Sequence, residues 1–438
     1  MPEHARAMPA WFSYVDLACV VVAGGLWYAF AEIGPWPLIP ALAPWAVRLV
    51  RLRRPTRRTP FDLPLLLFLL TAGVGVWAAY DQQAAWTKFW LIVGGILLYY
   101  ALANAEPIGD VRAWLLAFFG ASVALYFLAR QDWDTYPAKI DALTRLGRAL
   151  QAPLPAWPGH RWHPNVAGGI MAMMLPFAAW VAAAACYGVW RGRHRRLALV
   201  AGLGSFALTL FGVAMSTSRG AWVALVGALL LAGLWAVSAW LSRGSVLRRS
   251  WIFPVLLLLA LLVLLGIGVA WPGGTGAILE TLPGSNVGVG RADLLRNTLT
   301  LVRDYPFIGA GLGSFQMLYS TYVLMIHVGF SIHSHNLFLN VSVELGLLAL
   351  LALIWIWILF AAAAWRGLMG SVTRPGRGVL GAAILSLVII LIHGLADDVL
   401  FGSRAVLLLF VPLAFAVPFF PRRERPARRG VALALPLG

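Results

Sequence analysis

The sequence predicts an all-α, polytopic membrane protein with about twelve transmembrane helices. Three observations carry that prediction: 61% of the 438 residues are hydrophobic, only 12% are charged, and the mean hydropathy is +0.81. A soluble domain cannot hide so much apolar surface, whereas a bilayer accepts it. The apolar residues come in continuous runs of helical spanning length, where a β-barrel would show short alternating strands. The whole chain, 1–438, therefore reads as a single integral membrane domain.

In order, apolar spans fall near 14–31, 35–50, 61–80, 85–103, 113–129, 166–190, 197–216, 220–241, 251–271, 337–364, 379–396 and 400–420. The second carries Pro35, Pro37, Pro40 and Pro44, so a broken helix is expected there. The first run ends in Ala29-Phe30-Ala31, which mimics a signal-peptidase site. Its leader sets Glu3 and Asp16 against a lone Arg6, a poor n-region, and the segment is expected to be retained. Cys19 and Cys186 lie in apolar runs and read as packing residues, with neither a disulfide nor a zinc site expected.

Twelve spans place both termini on one side, and the basic residues choose which. The set containing the termini holds 23 of the 34 Lys and Arg residues, including Arg48 to Arg58 and the run from Arg422 to Arg429. The positive-inside rule then makes both termini cytoplasmic. Acidic residues divide 6 inside and 11 outside, so the net +17 is cytoplasmic and the outer face sums to zero. The high pI is thus a topology signal that would suit anionic membrane lipid, and it implies no nucleic-acid partner. Two large loops face outward, 130–165 first and 272–336 between the ninth and tenth spans.

The polar residues of that face hold any chemistry. In the first loop, Asp132-Trp133-Asp134 is too short a match to imply metal binding, and a solvated loop pairing with Lys139 or Arg145 is expected. Residues 138–151 have the pattern of an interfacial amphipathic helix, with Ile140, Leu143, Leu146 and Leu150 on one side. Before the sixth span comes Arg161-Trp162-His163-Pro164-Asn165. There His163 or Asn165 can cap the helix, and Arg161 can reach phosphate at head-group level.

Arg219, in Ser216-Thr217-Ser218-Arg219-Gly220, joins two spans with almost no loop. An ionised group there needs a partner, either Asp397 or Asp398 or an anionic substrate. In the main loop, residues 291–303 repeat as a helix whose apolar face holds Leu294, Leu295, Thr298, Leu299 and Val302. Arg291 shares that face at the helix N-terminus, where backbone amides favour anions, while Arg296 and Arg303 point to solvent. Asp304-Tyr305-Pro306 stops this helix, and Gly309-Ala310-Gly311-Leu312-Gly313 connects to another short one.

His333 and His335 precede the tenth span, and a neutral imidazole there can deprotonate a hydroxyl. Asn336, Asn340 and Glu344 then form a polar stripe whose deeper members read as interhelical hydrogen-bonding groups. His393 and Asp397, also four residues apart, pair with each other, or else Asp397 or Asp398 orients His335 or Arg219.

Together these features resemble the O-antigen ligase family. The family's His-[Asn/Ser/Gln]-x9-Gly pattern is met by His335-Asn336, nine residues and Gly346, although Ala349 stands where a further Gly, Thr or Tyr is common. Gly290-Arg291 and Asp304-Tyr305-Pro306-Phe307-Ile308-Gly309 resemble the motif shared by O-antigen ligases and polymerases, and the likeness spans roughly 160–400. It implies a GT-C-like enzyme of the bacterial inner membrane whose site faces the periplasm. Such an enzyme transfers polysaccharide from undecaprenyl diphosphate to a lipid A-core sugar, with inversion and without metal, ATP or other cofactor. On that reading His335 is the general base and Arg219, Arg291 and Arg161 bind the diphosphate. His333, Asn336, His163, Asp397 and Asp398 support them. The rival readings are an O-antigen polymerase, a protein O-oligosaccharyltransferase and, from another class, a lipid or glycan transporter. The ionisable residues cluster at the outer edge, whereas transporters place their sites near the midplane.

Overall fold

In the computed structural model the described residues are 8–9, 11–30, 33–105, 109–155, 157, 159, 161–191, 196–243, 249–272, 291–323, 333–370 and 374–420. All regular structure among them is helical: α1 (Phe12–Ala29), α2 (Leu38–Ala41), α3 (Ala43–Leu52), α4 (Asp62–Ala78), α5 (Gln82–Asn104), α6 (Gly109–Arg130), α7 (Asp141–Gln151) and α8 (Pro164–Trp190). There follow α9 (Arg196–Ser216), α10 (Arg219–Leu241), α11 (Arg249–Ala270), α12 (Arg291–Asp304), α13 (Phe315–Val323), α14 (Leu337–Met369) and α15 (Arg374–Ala396).

Eight of these are long and apolar enough to cross a membrane, as in a multi-pass membrane protein, and the segments 12–27, 62–78 and 404–419 are shorter apolar helices. The proline-rich second span is the broken pair α2–α3, in which Arg48 forms a buried ion pair with Asp16 of α1. The last expected span departs from a regular α-helix. It runs as three 3-10 turns, Arg404–Leu408, Val411–Phe415 and Val417–Phe419, almost wholly buried. Pro412 and Pro418 bring no amide hydrogens to a continuous ladder, and neighbouring helices shield the segment from lipid.

α6, α8 and α9 pack closely through small residues: a Cβ on Gly212 would lie 2.5 Å from Met171 Sδ and 2.6 Å from Ala124 Cβ. α7 forms within the stretch 138–151 that has the amphipathic pattern, with Leu146 and Leu150 exposed and Leu143 against the core. In α12 the buried face is Leu294, Thr298 and Leu301, whereas Leu299 is 48% exposed. This corrects the expected face by part of a turn. The helix docks against Phe315 and Tyr319 of α13 and Val343 of α14, and that cluster selects the 294/298/301 row.

α14 is broken one third of the way along. Gly346 has φ 80° and ψ 175°, which interrupts the helical ladder. The freed groups are taken by the segment leaving α12. Pro306 O accepts from Leu347 N at 2.8 Å, while Ala310 N donates to Val343 O at 2.7 Å and Gly311 N to Glu344 O at 3.2 Å. A Cβ on Gly346 would lie 2.1 Å from Phe307 O, and one on Gly309 would lie 2.4 Å from the Glu344 carbonyl carbon. Two backbones meet here at a distance only glycines allow. The strap 306–313 is further tied to α4, since Leu312 N donates to Gly75 O at 2.8 Å.

Candidate functional site

The site forms where three helices begin. His163 caps α8 by accepting from Asn165 N at 3.2 Å, Ser218 Oγ caps α10 through Ala221 N at 3.4 Å, and Asn336 Oδ1 caps α14 through Phe338 N and Leu339 N, both at 3.0 Å. Short polar side chains at these positions satisfy amides that the first turn leaves orphaned. The three ends converge on the turn after α15. Asn165 Nδ2 donates to Asp397 Oδ2 at 2.7 Å, and His335 Nδ1 lies 2.8 Å from Asp397 Oδ1. Gly220 of α10 lies against His393, where a Cβ would be 3.0 Å from Nε2. Asn336 Nδ2 also donates to Leu395 O at 3.1 Å, fixing α14 to α15.

Burial alone would raise the Asp397 carboxyl. The hydrogen bond from His335 and the nearby charges of His335, His333 and His393 instead hold it well below the usual carboxylate range. An ionised carboxylate only accepts, so the proton between Asp397 and His335 sits on Nδ1. That tautomer leaves the Nε2 lone pair of His335 available as a base, on a residue that is partly open, in left-handed backbone with φ 51°.

His333 is buried and differently engaged. Its Nδ1 accepts the backbone N–H of His335 at 3.2 Å, and burial pulls the imidazole down to about 4 despite Asp397. It is therefore a neutral support under the loop. Asp398 donates its N–H to Asp397 Oδ1 at 2.9 Å. Its carboxyl is buried, which pushes it up to about 7. A small cavity beneath the pair is walled by Gly169, Leu337, His393, Asp397 and Asp398.

The other candidates are placed as follows. Arg161 pairs with Asp132 Oδ2 at 2.5 Å and Asp134 pairs with Arg148 at 2.6 Å, so the expected partners Lys139 and Arg145 are replaced by two other arginines. Arg161 remains two residues from His163, whose ring feels the charges of Asp397, His335 and Lys139. Arg219 is the first residue of α10, half-buried, and the next residue, Gly220, is the one that lies against His393. Arg291 begins α12, but its side chain lies outside the described residues, as do the glycines 273–290 before it.

Two groups escape sequence reading. Asn165 is legible only as a possible cap, yet it holds the second oxygen of Asp397. Lys88 Nζ pairs with Glu344 Oε2 at 2.6 Å across 256 residues, and the same oxygen accepts Gly313 N at 2.7 Å. No local spacing signals either contact. The sequence offers no carboxylate cluster with convincing metal spacing, whereas the fold brings ligand atoms of His333, His335 and Asp397 within 4.8 Å of one another. The donors are already engaged: His333 Nδ1 receives the His335 amide and Asp397 receives Asn165, His335 and the Asp398 amide.

Comparison with known proteins bears on one stretch of this arrangement. Residues 204–354 match the family model described as O-antigen ligase, and the match supports the O-antigen ligase family for this chain. It supports a function of O-antigen ligase or polymerase type, and it includes Arg219, Arg291, His333, His335, Asn336 and Gly346. Asn165, Asp397 and Asp398 lie outside the match. No protein of curated function matches the chain.

Proposed function

We propose that this chain transfers a polysaccharide from undecaprenyl diphosphate to a sugar of lipid A-core, at the periplasmic face of the bacterial inner membrane. The observation that carries the reading is the His335–Asp397 hydrogen bond of 2.8 Å at the entrance to α14, which joins a histidine inside the matched family region to a carboxylate beyond it. The acceptor hydroxyl attacks the anomeric carbon as the bond to diphosphate breaks, with inversion. Its proton passes to His335 Nε2, and Asp397 stabilises the resulting imidazolium. His333 and Asn336 hold the loop so that this nitrogen faces the acceptor.

Charge on the departing diphosphate is offset by Arg219 and Arg291. The positive dipole ends of α8, α10 and α14 add to them. Arg161 contributes only by giving up Asp132, so it is the weakest of the three cations. Each described ion pair joins groups that the charge count assigns to one face, Arg48–Asp16 and Lys88–Glu344 doing so between separate elements.

The test is reconstitution of purified protein with undecaprenyl-diphosphate glycan and rough lipopolysaccharide, followed on a gel. A shifted lipopolysaccharide band is expected; elongation of the lipid-linked glycan instead would make the protein a polymerase. Transfer in detergent, without sealed vesicles, would exclude obligatory transport.

A further inference from the structure

The turn that delivers Arg219 is strained and clamped. Thr217 has φ 46°, a conformation that β-branched residues rarely adopt. It is also buried, together with Ser216 and Ser218. The turn is wedged against α8, where a Cβ on Gly168 would lie 2.5 Å from Ser216 Oγ and 2.8 Å from Ser218 Cβ. A single residue of the first outer loop takes both the hydroxyl and the carbonyl of Thr217. Lys139 N donates to Thr217 Oγ1 at 3.1 Å, and Lys139 Nζ donates to Thr217 O at 2.8 Å. The hydroxyl accounts for a threonine where glycine would relieve the backbone. Lys139 is also close enough for its charge to be felt at His163, beside the Asp397 cluster.

We infer that Lys139 is a positioning residue for the donor diphosphate: by clamping the strained Thr217 turn, it sets the Arg219 guanidinium against the His335–Asp397 site. The inference rests on the donor-binding role proposed for Arg219. It explains why the first loop, which lies outside the matched family region, is built into the site. Loop and bundle are joined by two hydrogen bonds to one residue, and α10 starts two residues later. Losing the clamp frees the turn to relax toward ordinary backbone, which moves the first residue of α10.

The experiment measures binding of undecaprenyl diphosphate to the full-length protein in detergent, together with transfer kinetics. Lys139→Met is expected to weaken binding about tenfold, mostly as a rise in donor KM with a smaller fall in kcat. In a Thr217→Gly background, where left-handed backbone costs nothing, the same substitution should weaken binding only about twofold. Thr217→Val keeps the lysine but removes the hydroxyl acceptor, and is expected to lose about threefold, an independent reading should Lys139→Met fail to accumulate. Equal losses from Lys139→Met in the wild-type and Thr217→Gly backgrounds overturn the inference. Full binding by Lys139→Met does so too or, where that protein fails to accumulate, full binding by Thr217→Val. Arg219→Ala separates the two levels. If it binds undecaprenyl diphosphate like the wild type, the donor-binding role of Arg219 fails too; if it loses binding while Lys139→Met does not, only the clamp is wrong.

Discussion

His335 and Gly346 lie three turns apart on one stretch of chain, both in left-handed backbone, and the two positions are held in opposite ways. At His335 the fixing group is a side chain from a distant element, the Asp397 carboxylate after α15, itself held by Asn165 of α8. At Gly346 the fixing groups are main-chain atoms of the strap 306–313, with no room for a Cβ. The first position is adjustable, because a side-chain contact can be lost without moving the backbone. The second is architectural, since the broken helix and the strap supply each other's hydrogen bonds. The polar stripe joins the two. Ser334 N donates to Asn340 Oδ1 at 3.4 Å, Asn340 Nδ2 to Glu344 Oε1 at 3.4 Å, and Glu344 is held by Lys88 and Gly313.

That contrast can be broken experimentally. The largest effect is expected from His335→Ala, which should lower transfer about 1000-fold at unchanged membrane abundance, the range spanned by loss of a general base. Wild-type turnover in the reconstituted assay would remove His335 from the chemistry. Asp397→Asn comes next, with a fall of about 100-fold in kcat and a smaller change in donor KM, because the amide no longer selects the Nδ1–H tautomer. A variant that instead lost only abundance would make Asp397 architectural.

Gly346→Ala should act the other way round. Positive φ and a 2.1 Å approach to Phe307 O predict about 3 kcal/mol of destabilisation, read as lower yield and thermal stability in detergent. The folded fraction should keep its turnover. Loss of turnover at normal stability would show that the two positions are not separable.

The smallest effect concerns Asp398. Its carboxyl is pushed from 3.8 up to about 7 by burial, with Lys88 opposing and Glu344 and Asp397 reinforcing. A raised folded-state value means that its stabilising contribution is present in acid and is lost as pH climbs through about 7. Asp398→Asn, which cannot ionise, should therefore raise thermal stability relative to wild type most at pH 8 and by a smaller amount at pH 5, which already lies above the ordinary carboxylate value of 3.8. An identical difference at both pH values would mean that the carboxyl titrates normally.

Much of this is legible in the chain before any fold is known. Hydropathy gives the helical membrane class, and the proline cluster marks the break between α2 and α3. Helical phase gives α7 and most of α12, and the His-Asn-x9-Gly spacing marks both ends of the stretch compared above. The misreadings share a cause. Leu299 stands in for Leu301 in the expected face of α12 because periodicity locates an apolar stripe only to within part of a turn, and the partner helices choose the row. Asp132 and Asp134 take basic partners other than the expected ones because ion pairing depends on how a loop folds back.

The sequence by itself determined the helical membrane class and the residue types available for proton transfer and phosphate binding. These follow from composition and local periodicity. Only the tertiary structure decided which histidine has a carboxylate behind it and which glycine lets two backbones touch. It also decided which lysine holds the turn before Arg219. His335 and Asp397 are 62 residues apart in the chain, and Lys139 and Thr217 are 78 apart. A contact at such separation is fixed by packing, which no local pattern encodes.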